Sequence, residues 1–279
     1  TATAQAQLAL DAIANGMKIL TDDAKYPYLK DPGQENPWFQ YTIDGKWNND
    51  TQISNYYVTM LNTLGDPRIH AQAALVNGVY AGHENGTAAE ADLSAIGPFY
   101  SAADAPLEFM SSVESKFIEA EANFLLNKRP EAEAALRSGL TLSFDKQRAA
   151  IITGAANLGI SSATINSDIT DYINTYSVLP VDNKDAYEQL MTQKYISNFL
   201  QFDTYNDWRR TGYPEVAPVA QPFPDNLTTV PLRFPYPSAE LQYNSTNVNN
   251  ENIPIGFRGL AGKVWWNSCD DCCTICGQK

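Results

Sequence analysis

Histidine is almost missing from this chain of 279 residues, which has two, His70 and His83, in different segments. A His-based metal site or a Ser-His-Asp triad would have to rest on one of them. Each reads instead as a surface or hydrogen-bonding residue. Other marks of catalysis are also missing: no GxxxxGK[ST] phosphate loop, GxSxG nucleophile elbow or HExxH pair occurs. Basic charge is scarce, with 19 Lys and Arg against 32 Asp and Glu and a net charge of −13. That field repels a phosphate backbone and no basic cluster offsets it, which excludes nucleic acid as a partner. No apolar run approaches the roughly 20 residues that a membrane-spanning helix needs. The chain opens TATAQAQ, with no initiator Met, basic n-region or apolar h-region. It is therefore expected to be a processed or trimmed product, in which a removed leader or lipid anchor would leave no trace.

Cysteine is absent until the tail SCDDCCTICGQK, which holds all 4 as two abutting C-x2-C units: Cys269 with Cys272, and Cys273 with Cys276. Thiolates at that spacing could bind zinc or an iron–sulfur cluster. Against a metal, Asp270 and Asp271 disfavour thiolate formation, and such sites draw their pairs from separated knuckles. Disulfides, in any of three connectivities, or idle thiols are the preferred reading. The tail, residues 267–279, is set apart from a body of residues 1–266.

The body has globular composition, 44% hydrophobic and 18% charged. Its 15 tyrosines suit either core packing or flat apolar platforms with a polar tip, the kind that meet sugar rings and peptide side chains. Helical spacing predicts a first helix over residues 3–20, through Leu10, Ile13, Met17 and Leu20. From Tyr26 to Tyr57 the text is broken by prolines and crowded with aromatics, and it reads as a long ordered loop. DPRIHAQ, from Asp66, starts a new element after Gly65. Residues 113–126 form the clearest helix, with Val113, Phe117, Ala120 and Phe124 on one face. After a break at Lys128–Pro130, a second helix carries Ala132, Ala135, Leu136, Gly139 and Leu140 on its stripe. AEANFLLNKRPEAEAALRSGL resembles the tetratricopeptide pattern of two closely packed helices, though only one copy is visible. A further helix is predicted over 185–202, with Tyr187, Leu190, Met191, Tyr195, Phe199 and Phe202 sharing a face. Residues 212–266, dense in Pro and Asn, read as coil laid over a helical body. The fold class is mostly α, with helical hairpins, long ordered loops and few short strands.

Carboxylate pairs could support glycoside hydrolysis. Glu114, Glu119 and Glu121 are close in sequence, but Glu119 and Glu121 point to different helix faces. The N-x-[ST] triplets at Asn49, Asn85, Asn226 and Asn244 are explained by a sequence rich in Asn and Thr.

From Gln193 the text QKYISNFLQFDTYNDWRRTGYP resembles the SusD-like (RagB-like) family, whose members end a helix in this Trp-Arg-Arg-Thr-Gly-Tyr-Pro manner. PLRFPYPSAELQYN (Pro231–Asn244) and KVWWN (Lys263–Asn267) resemble later family segments. NPWF at Asn36, DPRI at Asp66 and ESKFIEAEA at Glu114 fall in the family's order upstream. Read physically, Gly212 allows a sharp helix exit, Pro214 stops continuation, and the arginines reach carbonyls or carboxylates. The resemblance implies a helical, tetratricopeptide-like protein, lipid-anchored at the outer membrane and partnered with a SusC-like TonB-dependent transporter. Members are usually longer, so an amino-terminal part is expected to be missing, and the cysteine tail departs from the family's ending. The implied function is non-catalytic capture of oligosaccharide for uptake, with no cofactor. Trp38, Tyr41 and Trp47, placed in the aromatic loop, are the candidate platforms for sugar rings. The alternative is a peptide-binding or protein-interaction scaffold, and a carboxylate-pair glycosidase ranks last.

Overall fold

The structure is a computed structural model that describes residues 2–15, 23–43, 51–88, 90–219, 230–250, 260–264 and 266–267. In chain order the first helices are α1 (Ala2–Ala14), α2 (Pro37–Thr42), α3 (Asn55–Leu64), α4 (Ile69–Gln72) and α5 (Pro98–Ser101). Then come α6 (Ser112–Leu125), α7 (Arg129–Ala156), α8 (Ser162–Tyr176), α9 (Asn183–Ser197) and α10 (Asp203–Thr211), with short α11 (Ser238–Tyr243) and α12 (Ser245–Asn250) last. Two short strands, β1 (Ala24–Tyr26) and β2 (Leu107–Met110), pair antiparallel.

The α6–α7 hairpin is the centre of the body. Ser111 caps α6 by accepting the Glu114 N–H at 3.0 Å, and Pro130 sits in the first turn of α7, where no amide donor is needed. Asn127 takes φ 57° in the turn, a left-handed conformation that Asn tolerates. Both predicted stripes are buried: Val113, Phe117, Ala120 and Phe124 on α6, and Ala132, Ala135, Leu136, Gly139 and Leu140 on α7. A Cβ at Gly139 would stand 3.0 Å from the Phe117 ring, so the glycine lets the two helices approach closely. α1 packs on α6, α8 on α7, and α9 on both. A second core gathers Ile53, Tyr57, Val58, Leu61, Ile69, Ile96 and Ile196.

Arg68, in the DPRI turn, joins the two cores and is wholly buried. It donates to Asp66 (2.6 Å), Gln193 (2.8 Å) and Ser197 (2.6 Å), with its guanidinium 4.9 Å from the Phe144 ring centre.

The first predicted helix is observed as α1, with Ala6 buried and Leu10 and Ile13 partly so; Met17 and Leu20 lie outside the described residues. Several other expectations need correction. The Tyr26–Tyr57 stretch is not one loop, because it contains α2 and the start of α3. No helix is predicted over Ser162–Tyr176, yet α8 buries Ile165, Ile169, Tyr172 and Ile173 there. The helix expected over 185–202 stops at Ser197. Leu200 takes φ 65°, which turns the chain and leaves Phe202 92% exposed instead of on the buried face. The coil expected over 212–266 includes α11 and α12.

Candidate functional site

Asn36 fixes where α2 begins. It is buried, its Oδ1 accepts the Trp38 N–H at 2.7 Å, and its Nδ2 donates to the Ala105 carbonyl at 2.7 Å. Pro37 pre-sets the first turn. NPWF is therefore a helix start locked to a distant loop, and that lock places Trp38. Its indole is half-buried against the second core. Tyr41, three residues on and so on the neighbouring part of the same helix surface, is 41% exposed. Two of the three predicted platforms thus share one short helix, whereas Trp47 lies outside the described residues.

Trp38 borders a cleft of about 380 Å³ whose other walls include Gln52, Tyr57, Tyr195, Asn198 and Phe199. The rings are ordered among themselves: Tyr57 stacks on Phe199 at 5.1 Å and meets Tyr195 edge-on at 5.9 Å. Gln52 donates through Nε2 to the Glu90 carbonyl at 2.6 Å, while its Oε1 is buried without a partner. Asn198, which ends α9, is 3% exposed, and its Oδ1 is likewise unpartnered. Among the described residues, no acidic or basic side chain lines this cleft.

A smaller cavity of about 250 Å³ shares Trp38, Phe199 and Leu200 with it and is bounded on its far side by Lys25, Glu108 and Lys146. Those charges neutralise one another, since Lys146 bridges Glu108 and Asp23 (3.2 Å to the latter) and Lys25 lies 3.3 Å from Asp23. Burial opposes the Asp23 charge, but the Ser112 N–H and Lys146 outweigh it and hold the carboxyl at about 2.

A larger cleft, about 770 Å³, lies between α3, α9 and the extended segment Pro214–Val219. Its walls are mostly apolar, with Tyr56, Met60, Leu64 and Val216, and it carries four carboxylates: Glu84, Asp185, Glu188 and Glu215. Tyr56 donates to the Glu215 carbonyl at 3.0 Å, and burial, reinforced by neighbouring acidic groups, pushes its hydroxyl up to about 12.

The other singled-out residues have structural partners. His70 Nδ1 meets the Tyr80 hydroxyl at 2.9 Å, and His83 Nε2 meets the Ala88 carbonyl at 2.9 Å. Glu119 pairs with Lys116 at 2.7 Å. Glu121 is buried on Lys194, Arg210 and the Tyr187 hydroxyl, so its carboxylate is already committed. Arg209 donates to the Leu232 carbonyl at 2.9 Å and lies over the Trp266 ring, as the arginine reading of WRRTGYP requires. Gly212 takes φ 80°, the left-handed exit expected of it. Cys269, Cys272, Cys273 and Cys276 lie outside the described residues. Among the described residues, no group of His, Cys, Asp and Glu is arranged to hold a metal ion.

Gln52 and Asn198 are functional candidates that sequence reasoning missed. Only folding reveals that their oxygens lack partners, since no residue spacing signals it.

A family model, SusD-like_2, described as starch-binding associating with the outer membrane, matches residues 1–237. No curated protein matches the sequence. Among solved structures, a SusD homolog from Bacteroides fragilis NCTC 9343 superposes with TM-score 0.66 at 18% identity, over 95% of this chain and 66% of that one. A SusD homolog from Bacteroides ovatus ATCC 8483 gives TM-score 0.69 at 22% identity, over 94% and 60%. A chitin-binding SusD homolog from Flavobacterium johnsoniae gives 0.59 at 22%, over 85% and 53%. The chain therefore spans 53% to 66% of the length of these three structures.

Proposed function

The chain belongs to the SusD-like family, and from that premise we propose that it holds an oligosaccharide, without reacting with it, at the cleft beside Trp38. One observation carries the reading. A half-buried tryptophan stands at the edge of an aromatic-walled cleft, and two of its lining residues, Gln52 and Asn198, carry buried amide oxygens without hydrogen-bond partners. Sugar rings stack on aromatic faces, and their hydroxyls supply the donors those oxygens lack. Tyr41, exposed on the same helix, extends the platform outward, and Trp47, outside the described residues, is the third candidate for it.

The family's association with the outer membrane supports a role in nutrient uptake. In this reading the protein is lipid-anchored at the cell surface and delivers its ligand to a SusC-like TonB-dependent transporter. No helix among the described residues is long and apolar enough to cross a membrane.

The test is retention on glycan affinity gels, with starch and chitin as the first two matrices. Retention that is lost in Trp38→Ala and in Trp47→Ala, with circular dichroism unchanged, is the expected result. Undiminished retention in both variants would place the site elsewhere.

A second reading, capture of a peptide, has one observation in its favour. The larger cleft joins aliphatic walls to carboxylates that, among the described residues, form no ion pair. A Lys or Arg side chain combines an apolar stem with a cationic head and would match both. Retardation on a basic-peptide column, with no response to glycans, would favour it.

A further inference from the structure

The two amide oxygens bear on which glycans can enter. A buried acceptor without a donor costs roughly 1–3 kcal/mol, and folded proteins keep few of them. Here Gln52 Oε1 and Asn198 Oδ1, from well-separated parts of the sequence, face this cost beside one cleft. Each is held in place. The Gln52 amide is anchored through Nε2 on the Glu90 carbonyl, which leaves Oε1 as its free end. Asn198 closes α9, its N–H donating to Lys194 O at 3.0 Å and its own carbonyl accepting from Gln201. Its side chain is therefore not needed to complete the turn.

The rest of the lining is equally informative. Trp38, Tyr57, Ile53, Ile96, Tyr195, Phe199 and Leu200 supply apolar surface, and Thr51, Ser54 and Thr204 supply hydroxyls. Among the described residues no lysine or arginine lines it to receive a carboxylate or sulfate, and the lysines of the neighbouring cavity, Lys25 and Lys146, are already paired with Asp23 and Glu108. An anionic sugar would lose its hydration with no cation among the described lining residues to replace it, inside a protein of net charge −13.

We infer that Asn198 and Gln52 are the specificity-determining residues of a charge-free subsite beside Trp38, which accepts the hydroxyl or amide N–H donors of a neutral sugar and rejects uronic or sulfated ones. This rests on the oligosaccharide reading of the same cleft.

Isothermal titration of the chain with maltohexaose, chitohexaose and an oligogalacturonate tests it. Binding of at least one neutral hexaose, with the galacturonate at least tenfold weaker, is expected. Asn198→Leu should weaken neutral binding roughly tenfold, the loss of one good hydrogen bond, while the melting temperature holds or rises. A purely structural Asn198 would instead lower the melting temperature. Gln52→Met is the second variant and should lose affinity similarly. Equal or tighter galacturonate binding overturns the inference. So does wild-type affinity in both variants; if Trp38→Ala still abolishes binding in that case, the oligosaccharide reading survives alone. Silence towards all three glycans overturns both.

Discussion

The Arg210 guanidinium lies 2.6 Å from Oε1 of Glu121, 89 positions earlier in the chain, and closes α10 onto α6. Lys194 of α9 reaches the other oxygen of that carboxylate at 3.0 Å and also meets Asp207 at 2.7 Å, while Arg210 meets Asp207 at 2.7 Å. Two cations and two anions thus form a closed ring across three helices. The WRRTGYP segment is held to the hairpin by charge as well as by packing.

Breaking that ring leaves a buried charge uncompensated. Glu121→Gln should lower the unfolding free energy by about 3–5 kcal/mol, read from urea midpoints at pH 7. The pH dependence follows from the same contacts. Burial pushes the Glu121 carboxyl up, but Lys194 and Arg210 outweigh it and hold it well below the usual range. Its contribution is complete above the unfolded carboxylate value of about 4.3 and is lost as pH falls through the folded one. The stability gap between wild type and Glu121→Gln should therefore narrow below about pH 4. A gap that stayed constant down to pH 2 would contradict this assignment.

Arg68 makes a different demand. Its fork serves Asp66, Gln193, Ser143 and Ser197 at once, between the Phe144 and Tyr172 rings. A lysine has the charge but one compact head, which cannot reproduce that set. Arg68→Lys should cost about 3 kcal/mol in chemical denaturation. A loss under 1 kcal/mol would show that charge alone suffices there.

How much of this was legible depends on the kind of signal. The α6–α7 hairpin was, because Phe117, Phe124, Leu136 and Leu140 repeat at helical spacing and Gly139 marks a close approach. α8 was not, because Ile165, Ile169, Tyr172 and Ile173 form a stripe within a run rich in Ser, Thr, Asn and Asp, residues that read as loop. The end of α9 was missed for the opposite reason. Phe199 and Phe202 continue its hydrophobic pattern, yet the turn at Leu200 interrupts it. For the site, Trp38 could be picked as an aromatic outside periodic text. Gln52 and Asn198 could not, since a missing hydrogen-bond partner is a property of three-dimensional placement.

Phe202 and Tyr41 give a paired prediction. Phe202 is 92% exposed, so Phe202→Ser should change stability by less than about 0.5 kcal/mol. It lies outside the Trp38 cleft lining and should leave glycan retention unchanged. Tyr41→Ala should be comparably mild for stability, at 41% exposure, yet reduce glycan retention. Thermal melts and affinity gels on the two variants separate these effects. A Phe202→Ser variant that melted well below wild type would restore the longer α9 that the sequence pattern predicts.

Gly154 tests close packing where propensity argues the other way. It lies inside α7, and replacing an exposed helical glycine by alanine ordinarily gains about 1 kcal/mol. At this position a Cβ would stand 2.1 Å from the His70 carbonyl oxygen, a backbone atom that cannot swing aside. The contact is between α7 and α4, the helix that follows the Arg68 turn, so relief would require the second core to move off the first. Gly154→Ala should therefore destabilise by about 1–3 kcal/mol, as overpacking does, with the helix content of the folded state unchanged. A variant more stable than wild type would mean that α4 yields freely and that Arg68 alone fixes its place.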